Sequence, residues 1–210
     1  MGFPVYDFRT DIRNILVTPQ IRSRFLRMQP GEVSQGHTHD LGHEIFLILA
    51  GRCEFTIDGE SQELGPGQMC VARVDQMHLV RVIGDEPMTM YLSVTPHIQP
   101  THTFWDEEGH KLPPRFASHS AYDQEVDSTL TDDELLSRHV QAAAATAAAA
   151  TACAAVQSEQ ADSLRQAMVD EDWDTAAAAR NAMWAAISDL HRRMAAQDTL
   201  WNELAPRAVK

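Results

Sequence analysis

The chain has 210 residues, 44% of them hydrophobic, which is enough for one domain or for a domain with an appendage. Its formal net charge of −13 argues against nucleic acid or an anionic membrane surface as a partner, because both require clustered Lys and Arg. The three cysteines form no paired framework and no C-x-x-C motif, and no apolar run resembling a secretory signal is seen near the N-terminus, so we expect a reduced, cytoplasmic setting.

The first half of the chain favours short β-strands. Residues 1–20 contain Pro4 and Pro19 and are expected to form an irregular lead-in. Residues 21–96 alternate between apolar runs and turns, with Asp58-Gly59 as a two-residue hairpin signal. Many short strands without intervening helices predict an antiparallel sandwich or barrel. The predicted strands are Ile21–Met28, Val33–His39, Glu44–Leu49, Gly51–Ile57, Ser61–Leu64, Met69–Val74, His78–Ile83 and Met88–Thr95.

Residues 97–129 form a segment with several prolines and aromatic side chains. The prolines prevent long regular elements, while the aromatic residues are too many for a free linker, so we expect this segment to pack over the barrel. Phe104 and Trp105 could cover the mouth of the barrel or anchor the loop. The histidines of this segment have no metal-site spacing and are interpreted as surface or packing residues; they are His97, His102, His110 and His119.

Residues 130–205 have the composition of a helical hairpin. Thr131 and Glu134 have the spacing of a capping box, and the alanine-rich sequence after them favours a helix from Asp132 to Met168. A second helix is predicted over Trp173–Leu204. The long alanine run is too weakly apolar to predict a membrane span. Because such a hairpin has little core of its own, it should pack on the barrel or form a four-helix bundle with a second copy, and we favour a homodimer.

The segment from Gly31 to Gly51 carries the chemistry. His37 and His39 lie two residues apart in a predicted strand, so both imidazoles project from the same face. Glu44 opens the next apolar strand after a short turn. Two imidazoles and a carboxylate can therefore converge on one point, which predicts a metal site.

These residues make the sequence resemble a cupin. The first cupin motif has a Gly, a His-x-His, a Glu and a Gly at fixed spacing, and this sequence fills every position of it. The second motif is matched at Gly67 and at its ligand, His78. It departs from the pattern at three turn or packing positions, where a Pro, a Gly and an Asn are replaced by Arg73, Asp75 and Val82, respectively. These departures put the shape of the loop before His78 in question. The resemblance covers about residues 20–95.

The resemblance implies a mainly β fold with an added α-helical part: a double-stranded β-helix, or jelly-roll barrel, followed by the two-helix hairpin. It also implies one divalent metal ion held by His37, His39, Glu44 and His78. Iron, manganese and zinc are favoured by availability, and nickel and copper are also compatible with this ligand set. Glu44 would be both a ligand and a catalytic proton acceptor.

Other side chains near this site have competing interpretations. Arg73 is interpreted either as a solvated residue or as a clamp for a substrate carboxylate. His43 should point away from the ligands and lie at the surface or rim. Residues that lie an even number of positions from a predicted ligand on the same strand should line the barrel and make its interior apolar; they are Phe46, Ile48, Val80 and Val82. Cys53 and Cys70 are interpreted as small buried hydrophobic residues.

Two classes of function follow from the resemblance. In the first, the protein is a metal-dependent enzyme on a small substrate with adjacent oxygens, and dioxygenase-like chemistry is favoured over non-redox decarboxylation, isomerisation or elimination. In the second, the barrel binds or senses a small molecule without turnover. The sequence does not identify the substrate.

Overall fold

The protein, described by a computed structural model over residues 2–209, consists of two compact units. The first contains the residues up to Asp127 together with those from Ala205 onward, and the second is Ser128–Leu204. The first unit holds all the strands, and the second holds the two long helices. This division follows the change in composition after the Pro-rich segment.

The first unit is built from eight strands in two antiparallel sheets. They are β1 Asn14–Val17, β2 Arg22–Met28, β3 His43–Ala50, β4 Arg52–Ile57, β5 Glu60–Leu64, β6 Met69–Ala72, β7 His78–Ile83 and β8 Met88–Thr95. The larger sheet has the order β1-β2-β8-β3-β6, and the smaller one has the order β5-β4-β7. The jelly-roll architecture predicted from the sequence is therefore confirmed, and β7 and β8 have the predicted bounds.

Two predictions about strands were wrong. The predicted strand Val33–His39 forms only isolated bridges, because its backbone pairs first with β7 and then, at Thr38, with Thr103. No continuous ladder can form when the partner changes along the segment. Conversely, β1 lies inside the lead-in that was expected to be irregular, and it pairs with β2 at the edge of the larger sheet.

The core lies between the two sheets and follows the period of two along each strand. In β3, His43 is exposed whereas Glu44, Phe46 and Ile48 are buried. The residues expected to line the barrel from their parity are all buried. The core cluster is Met28, Phe46, Ile48, Cys53, Phe55, Leu64, Ala72, Val80, Val82, Met88, Met90 and Leu92.

The Pro-rich segment packs on the barrel through specific polar contacts. The backbone groups of Thr38 and Thr103 exchange two hydrogen bonds, of 2.9 and 2.8 Å. The Thr103 hydroxyl donates to Asp40 at 2.7 Å. Further along, Asp123 accepts hydrogen bonds from both the backbone and the side chain of Asn14. The contacts of Thr103 thus attach this segment to the loop of the barrel that carries His37 and His39.

The second unit is a hairpin of α1, Asp132–Val169, and α2, Trp173–Leu204. The capping box is formed: the Thr131 hydroxyl accepts from the backbone N–H of Glu134, whose carboxylate accepts from the Thr131 backbone. Most buried residues of the helices are small, which allows close approach of the two backbones; they are Leu135, Cys153, Ala167, Ala176 and Ala179.

Helix α1 is the one helix within residues 2–209 whose length and composition would allow it to cross a membrane. Its most apolar window of 18 residues has a mean hydropathy of 1.3, and 6% of that window is buried. The apolar character comes from alanine, which contributes little hydrophobic area for each residue.

Candidate metal centre

The structure brings together the four residues that the resemblance named as metal ligands. His37, His39, Glu44 and His78 each offer one ligand atom, and these atoms all lie within 4.8 Å of one another. The Oε2 atom of Glu44 is the common point, at 2.8 Å from His39 Nε2, 3.1 Å from His78 Nε2 and 3.8 Å from His37 Nε2. The side chain of His37 is 15% exposed, whereas the other three are nearly inaccessible to solvent.

Strand geometry explains why the four residues meet. His37 and His78 lie opposite each other in an antiparallel bridge, and their backbones exchange two hydrogen bonds. His39 is two residues beyond His37 and lies on the same side. Glu44 is the second residue of β3 and points inward, while His78 is the first residue of β7. The ligands therefore come from the ends of elements at one end of the barrel.

The three imidazoles are oriented by backbone carbonyl groups. The Nδ1 atoms of His37 and His78 each lie 2.9 Å from a carbonyl oxygen, of Gln35 and Gln76 respectively. The Nδ1 atom of His39 is hydrogen-bonded to the carbonyl of Thr101. A carbonyl oxygen can only accept, so each Nδ1 carries the proton and each Nε2 presents a lone pair to the centre. Metal-binding histidines are held in this manner.

This arrangement fits a divalent cation. Three imidazole lone pairs and the oxygens of a carboxylate face one another in a buried space, and they repel one another unless a proton or a cation lies between them. His37 Nε2 is buried and has no hydrogen-bond partner within residues 2–209. The nitrogen and oxygen donors suit iron, manganese, zinc, nickel or copper.

Glu44 is held in its ionised form. Burial alone would raise the pKa of its carboxyl group, but when protons rather than a cation lie between the carboxylate and the three Nε2 atoms, hydrogen bonds from these imidazoles outweigh burial and hold the pKa well below its usual range. Arg22 lies on the other side of the carboxylate, with its Nη2 atom 3.7 Å from Glu44 Oε1. A carboxylate that remains charged is a competent metal ligand.

The loop before His78 accommodates the residues that depart from the second motif. Asp75, at the position where the motif has Gly, adopts a left-handed conformation with φ of 63°. Aspartate tolerates this region better than most residues. The Asp75 N–H donates to the carbonyl of His39 at 3.0 Å, which ties this loop to a ligand. Val82, in place of the Asn, is buried in the core.

The structure places Arg73 at an exposed position outside the lining of the cavity beside Glu44, in agreement with its interpretation as a solvated residue and not with that of a clamp at the metal centre. Arg73 is exposed and lines a separate cavity at the β4–β5 hairpin, of about 510 Å³. The arginines that lie beside the centre are instead Arg22 and Arg24. Both belong to β2 and share its inward face with Leu26. The spacing of two between these three residues was the signal in the sequence that places them on one face.

His102 is a third residue whose place beside the metal centre the sequence did not indicate. It was interpreted as a surface or packing residue, but its ring centroid lies 4.7 Å from that of His37 and 5.0 Å from that of His39. Burial lowers the pKa of His102 well below its ordinary value, so the ring is neutral. Its place in an irregular segment gave no pattern from which this position could be predicted.

A cavity of about 150 Å³ opens beside the ligands and is mostly apolar. Its lining comprises Arg22, Arg24, Leu26, Ser34, His37, Glu44, Phe46, Phe55, His78, Leu79, Val80, Met90, Leu92 and His102. A second cavity, of about 390 Å³, shares Arg22, Arg24 and His102 with the first and adds residues of the Pro-rich segment. We call these the inner and the outer cavity.

The remaining predictions for this region can be compared with the structure. His43 is exposed and accepts a hydrogen bond from the Val74 N–H, on the side away from the ligands, as expected. Phe104 lies near the ring of His37 and lines the outer cavity, while Trp105 donates to the hydroxyl of Thr38, so the first borders the mouth and the second anchors the loop.

His110 lies in an exposed group with two acidic residues, Asp106 and Glu108. Asp106 accepts hydrogen bonds from the backbone and the ring of His110, which accounts for their proximity as an ordinary loop contact. His97 is buried against the ring of Tyr122 and is a packing residue, as expected.

A barrel of two sheets with three histidines and a glutamate clustered at one end is the architecture expected of a cupin domain. Residues 24–95 match the family model of the cupin domain, and the protein therefore carries a cupin domain in this part of the chain. A curated relative, the polyketide synthase CurC of Streptomyces cyaneus, is 33% identical over 91 residues. That match spans 41% of this chain and 59% of the length of the relative.

Solved structures show similarity at lower identity. A double-stranded β-helix protein from Klebsiella pneumoniae subsp. pneumoniae MGH 78578 is 20% identical, with a TM-score of 0.43, and the match covers 45% of this chain and 91% of that one. KdgF from Halomonas sp. is 23% identical, with a TM-score of 0.38, and the match covers 41% of this chain and 78% of that one.

Proposed function

We propose that the protein is a metal-dependent enzyme that acts on a small substrate bearing adjacent oxygen atoms. One observation carries the proposal: three imidazole Nε2 atoms and the Glu44 carboxylate converge on a buried point, with every Nδ1 atom hydrogen-bonded to a backbone carbonyl. This is the donor set and the support that a catalytic metal ion requires. Four ligands from the protein leave coordination positions for a chelating substrate.

The residues present would hold an iron, manganese or zinc ion at His37, His39, Glu44 and His78. Such an ion acts as a Lewis acid toward a chelated substrate, and a redox-active one also permits reaction with dioxygen. The second capability makes dioxygenase-like chemistry the activity that we favour. Non-redox decarboxylation, isomerisation or elimination would use the same ligands.

Glu44 is the residue that can move a proton. Its Oε2 atom faces the imidazoles and its Oε1 atom faces Arg22, so Oε2 would be the ligand atom and would take a proton from a substrate in the inner cavity only after it leaves the ion. The carboxyl group is ionised at neutral pH, which is the form that accepts a proton, and its lowered pKa makes it a weak base. Phe46 and Val80 line the same cavity and limit the entry of water around the reacting atoms.

The inner cavity sets the size of the substrate. Its volume of about 150 Å³ lies below the range of roughly 300–1,000 Å³ that is usual for drug-sized ligands. A molecule of a few heavy atoms, or the reactive end of a larger one that extends into the outer cavity, is the ligand that fits.

The proposal is tested by metal analysis followed by turnover. Protein purified without added metal, and protein reconstituted with Fe(II), Mn(II) or Zn(II), is assayed for metal content, oxygen uptake and product formation with enols, catechols and keto acids. We expect about one metal ion for each chain, and turnover that is lost in His37→Ala and His78→Ala but retained in the control His43→Ala. Failure to bind metal on reconstitution would refute the proposal, and tight ligand binding without turnover under any metal would establish a sensory module instead.

A further inference from the structure

We propose that Arg22 and Arg24 form a subsite for a carboxylate of the substrate, so that the substrate is a small acid that carries this carboxylate in addition to its chelating oxygens. The inference rests on the proposed function, because the chelating oxygens are those that would meet the metal. It names the chemical class of the ligand and the residues that select it.

The position of the two arginines is the first argument. They are two residues apart in β2, so their side chains leave the same face of the strand. Both line the inner cavity together with Glu44, and both also line the outer cavity. The pair therefore lies beside the metal ligands, where the two cavities adjoin, and a ligand that extends from one cavity to the other passes it.

Unused hydrogen-bonding capacity is the second argument. The side chain of Arg22 is only 4% exposed, and the Nε atoms of both arginines are buried without a hydrogen-bond partner within residues 2–209. The closest acid to Arg22, Glu44, is 3.7 Å away, which is longer than a hydrogen bond. A guanidinium group carries five N–H donors in a planar fork, and a carboxylate satisfies two of them at once.

Packing holds this fork in place before any ligand arrives. The guanidinium group of Arg22 lies over the ring of Tyr122, 5.3 Å from its centroid. The hydroxyl of Tyr122 is in turn hydrogen-bonded to Thr101, whose carbonyl orients His39. The same segment thus positions an arginine and a metal ligand, and the subsite is preorganised for a carboxylate.

Charge is the third argument. The inner cavity is lined by two guanidinium groups and by one carboxylate, Glu44. Burial and the proximity of Arg22 lower the pKa of Arg24, so the two cations disfavour each other. Bound divalent metal would increase the excess of positive charge. An anionic ligand relieves it, whereas a neutral ligand leaves it in place.

The test compares ligands that differ only in a carboxylate. The probes are α-ketoglutarate against α-ketovalerate and protocatechuate against methylcatechol, where a methyl group replaces the carboxylate in each pair. Binding is measured by titration calorimetry on metal-loaded and on metal-free protein, and metal content is determined for every sample. The variants are Arg24→Met and Arg24→Lys, with Arg73→Met as the matched control on the exposed side of the barrel.

We expect the wild-type protein to bind at least one acid about tenfold or more tightly than its methyl counterpart, the usual difference for a hydrogen-bonded ion pair. Arg24→Met should abolish that preference with metal content unchanged, Arg24→Lys should restore part of it, and Arg73→Met should leave it intact. Equal binding of acid and methyl counterpart, or an equal loss in Arg73→Met, would overturn the inference while the metal-dependent function stands. If the wild-type protein binds no metal, the proposed function fails, and an acid preference in the metal-free protein that Arg24→Met removes would still support the subsite.

Discussion

Substitution of His37 by Ala separates the contribution of the metal from that of the fold. In the metal-free protein this histidine contributes little to stability. Its Nδ1 atom makes one hydrogen bond, worth about 1 kcal/mol net, whereas its buried Nε2 atom lacks a partner, which costs on the order of 1–3 kcal/mol. Truncation removes this cost, but it also removes the packing of the ring against those of His39 and His78, so the free energy of unfolding of metal-free His37→Ala should lie within about 1 kcal/mol of the wild-type value.

The metal-loaded protein should respond differently. A metal ion present at one hundred times its dissociation constant stabilises the folded state by about 2.7 kcal/mol. For a barrel unit of this size that corresponds to a rise of roughly 10 °C in the melting temperature. His37 supplies one of the four ligand atoms, so His37→Ala should lose most of this rise.

Thermal unfolding followed by circular dichroism, with and without added Mn(II) or Zn(II), provides the measurement. His43→Ala is the control, because this histidine is close to Glu44 in sequence but points to the surface. The reasoning is refuted if the wild-type melting temperature does not respond to metal, or if His37→Ala retains the full response. A large loss of stability in the metal-free variant would show that the histidine has a structural role.

Three further predictions concern the fold. Gly51→Ala should destabilise the protein by more than about 2 kcal/mol in urea denaturation, because Gly51 has φ of 71° and a Cβ atom there would lie 2.5 Å from the Pro87 carbonyl oxygen. Gly59→Ala is the control: Gly59 has φ of 84° but open space around it, so this substitution should cost about 1 kcal/mol. Burial lowers the pKa of His97 to about 3, so the unfolded chain takes up a proton between pH 6.5 and 3 that the folded protein does not. The contribution of His97 to the free energy of unfolding is therefore complete above pH 6.5 and is lost as the pH decreases. In His97→Gln the free energy of unfolding should fall less steeply, by about 1.4 kcal/mol for each pH unit in this range. An unchanged slope would contradict the prediction. We also propose that the helical hairpin pairs with a second copy, so light scattering should give twice the mass of the chain. Trp184 is 63% exposed in the single chain, and Trp184→Glu should yield the monomer. A monomeric wild-type protein would refute the proposal.

The strands and the ligands could be predicted because their signals are local. A period of two places His37 and His39 on one side and buries Glu44 with Phe46, whatever the rest of the chain does. The hairpin signal at Asp58-Gly59 and the glycine breaks fixed the strand boundaries, and β7 and β8 agree with the prediction. For the same reason the helical hairpin could be identified from its capping box and alanine content.

In the loop before His78, a residue that departs from the motif adopts a backbone conformation that favours glycine. The sequence analysis treated Asp75 as a departure from a Gly position. In the structure, φ of Asp75 is positive and its N–H is hydrogen-bonded to the carbonyl of His39. Glycine adopts such a left-handed conformation most readily, and aspartate is one of the few other residues that do.

By itself, the sequence predicted the barrel from alternation along strands and from turn residues, and its resemblance to the cupin motifs supplied the predicted ligand set, because all of these signals lie within short stretches of the chain. Only the tertiary structure decided which residues surround the ligands. The contacts of His102 with His37, and of Arg22 with Glu44 and Tyr122, join elements that are far apart in the chain. The parity of β2 makes Arg22 and Arg24 share a face, but only the closed barrel turns that face toward the metal centre. Arg73 carries the guanidinium group that a carboxylate clamp needs, but it lines a different cavity. The alternation along a strand predicts the face on which a side chain lies and not its distance from the metal centre.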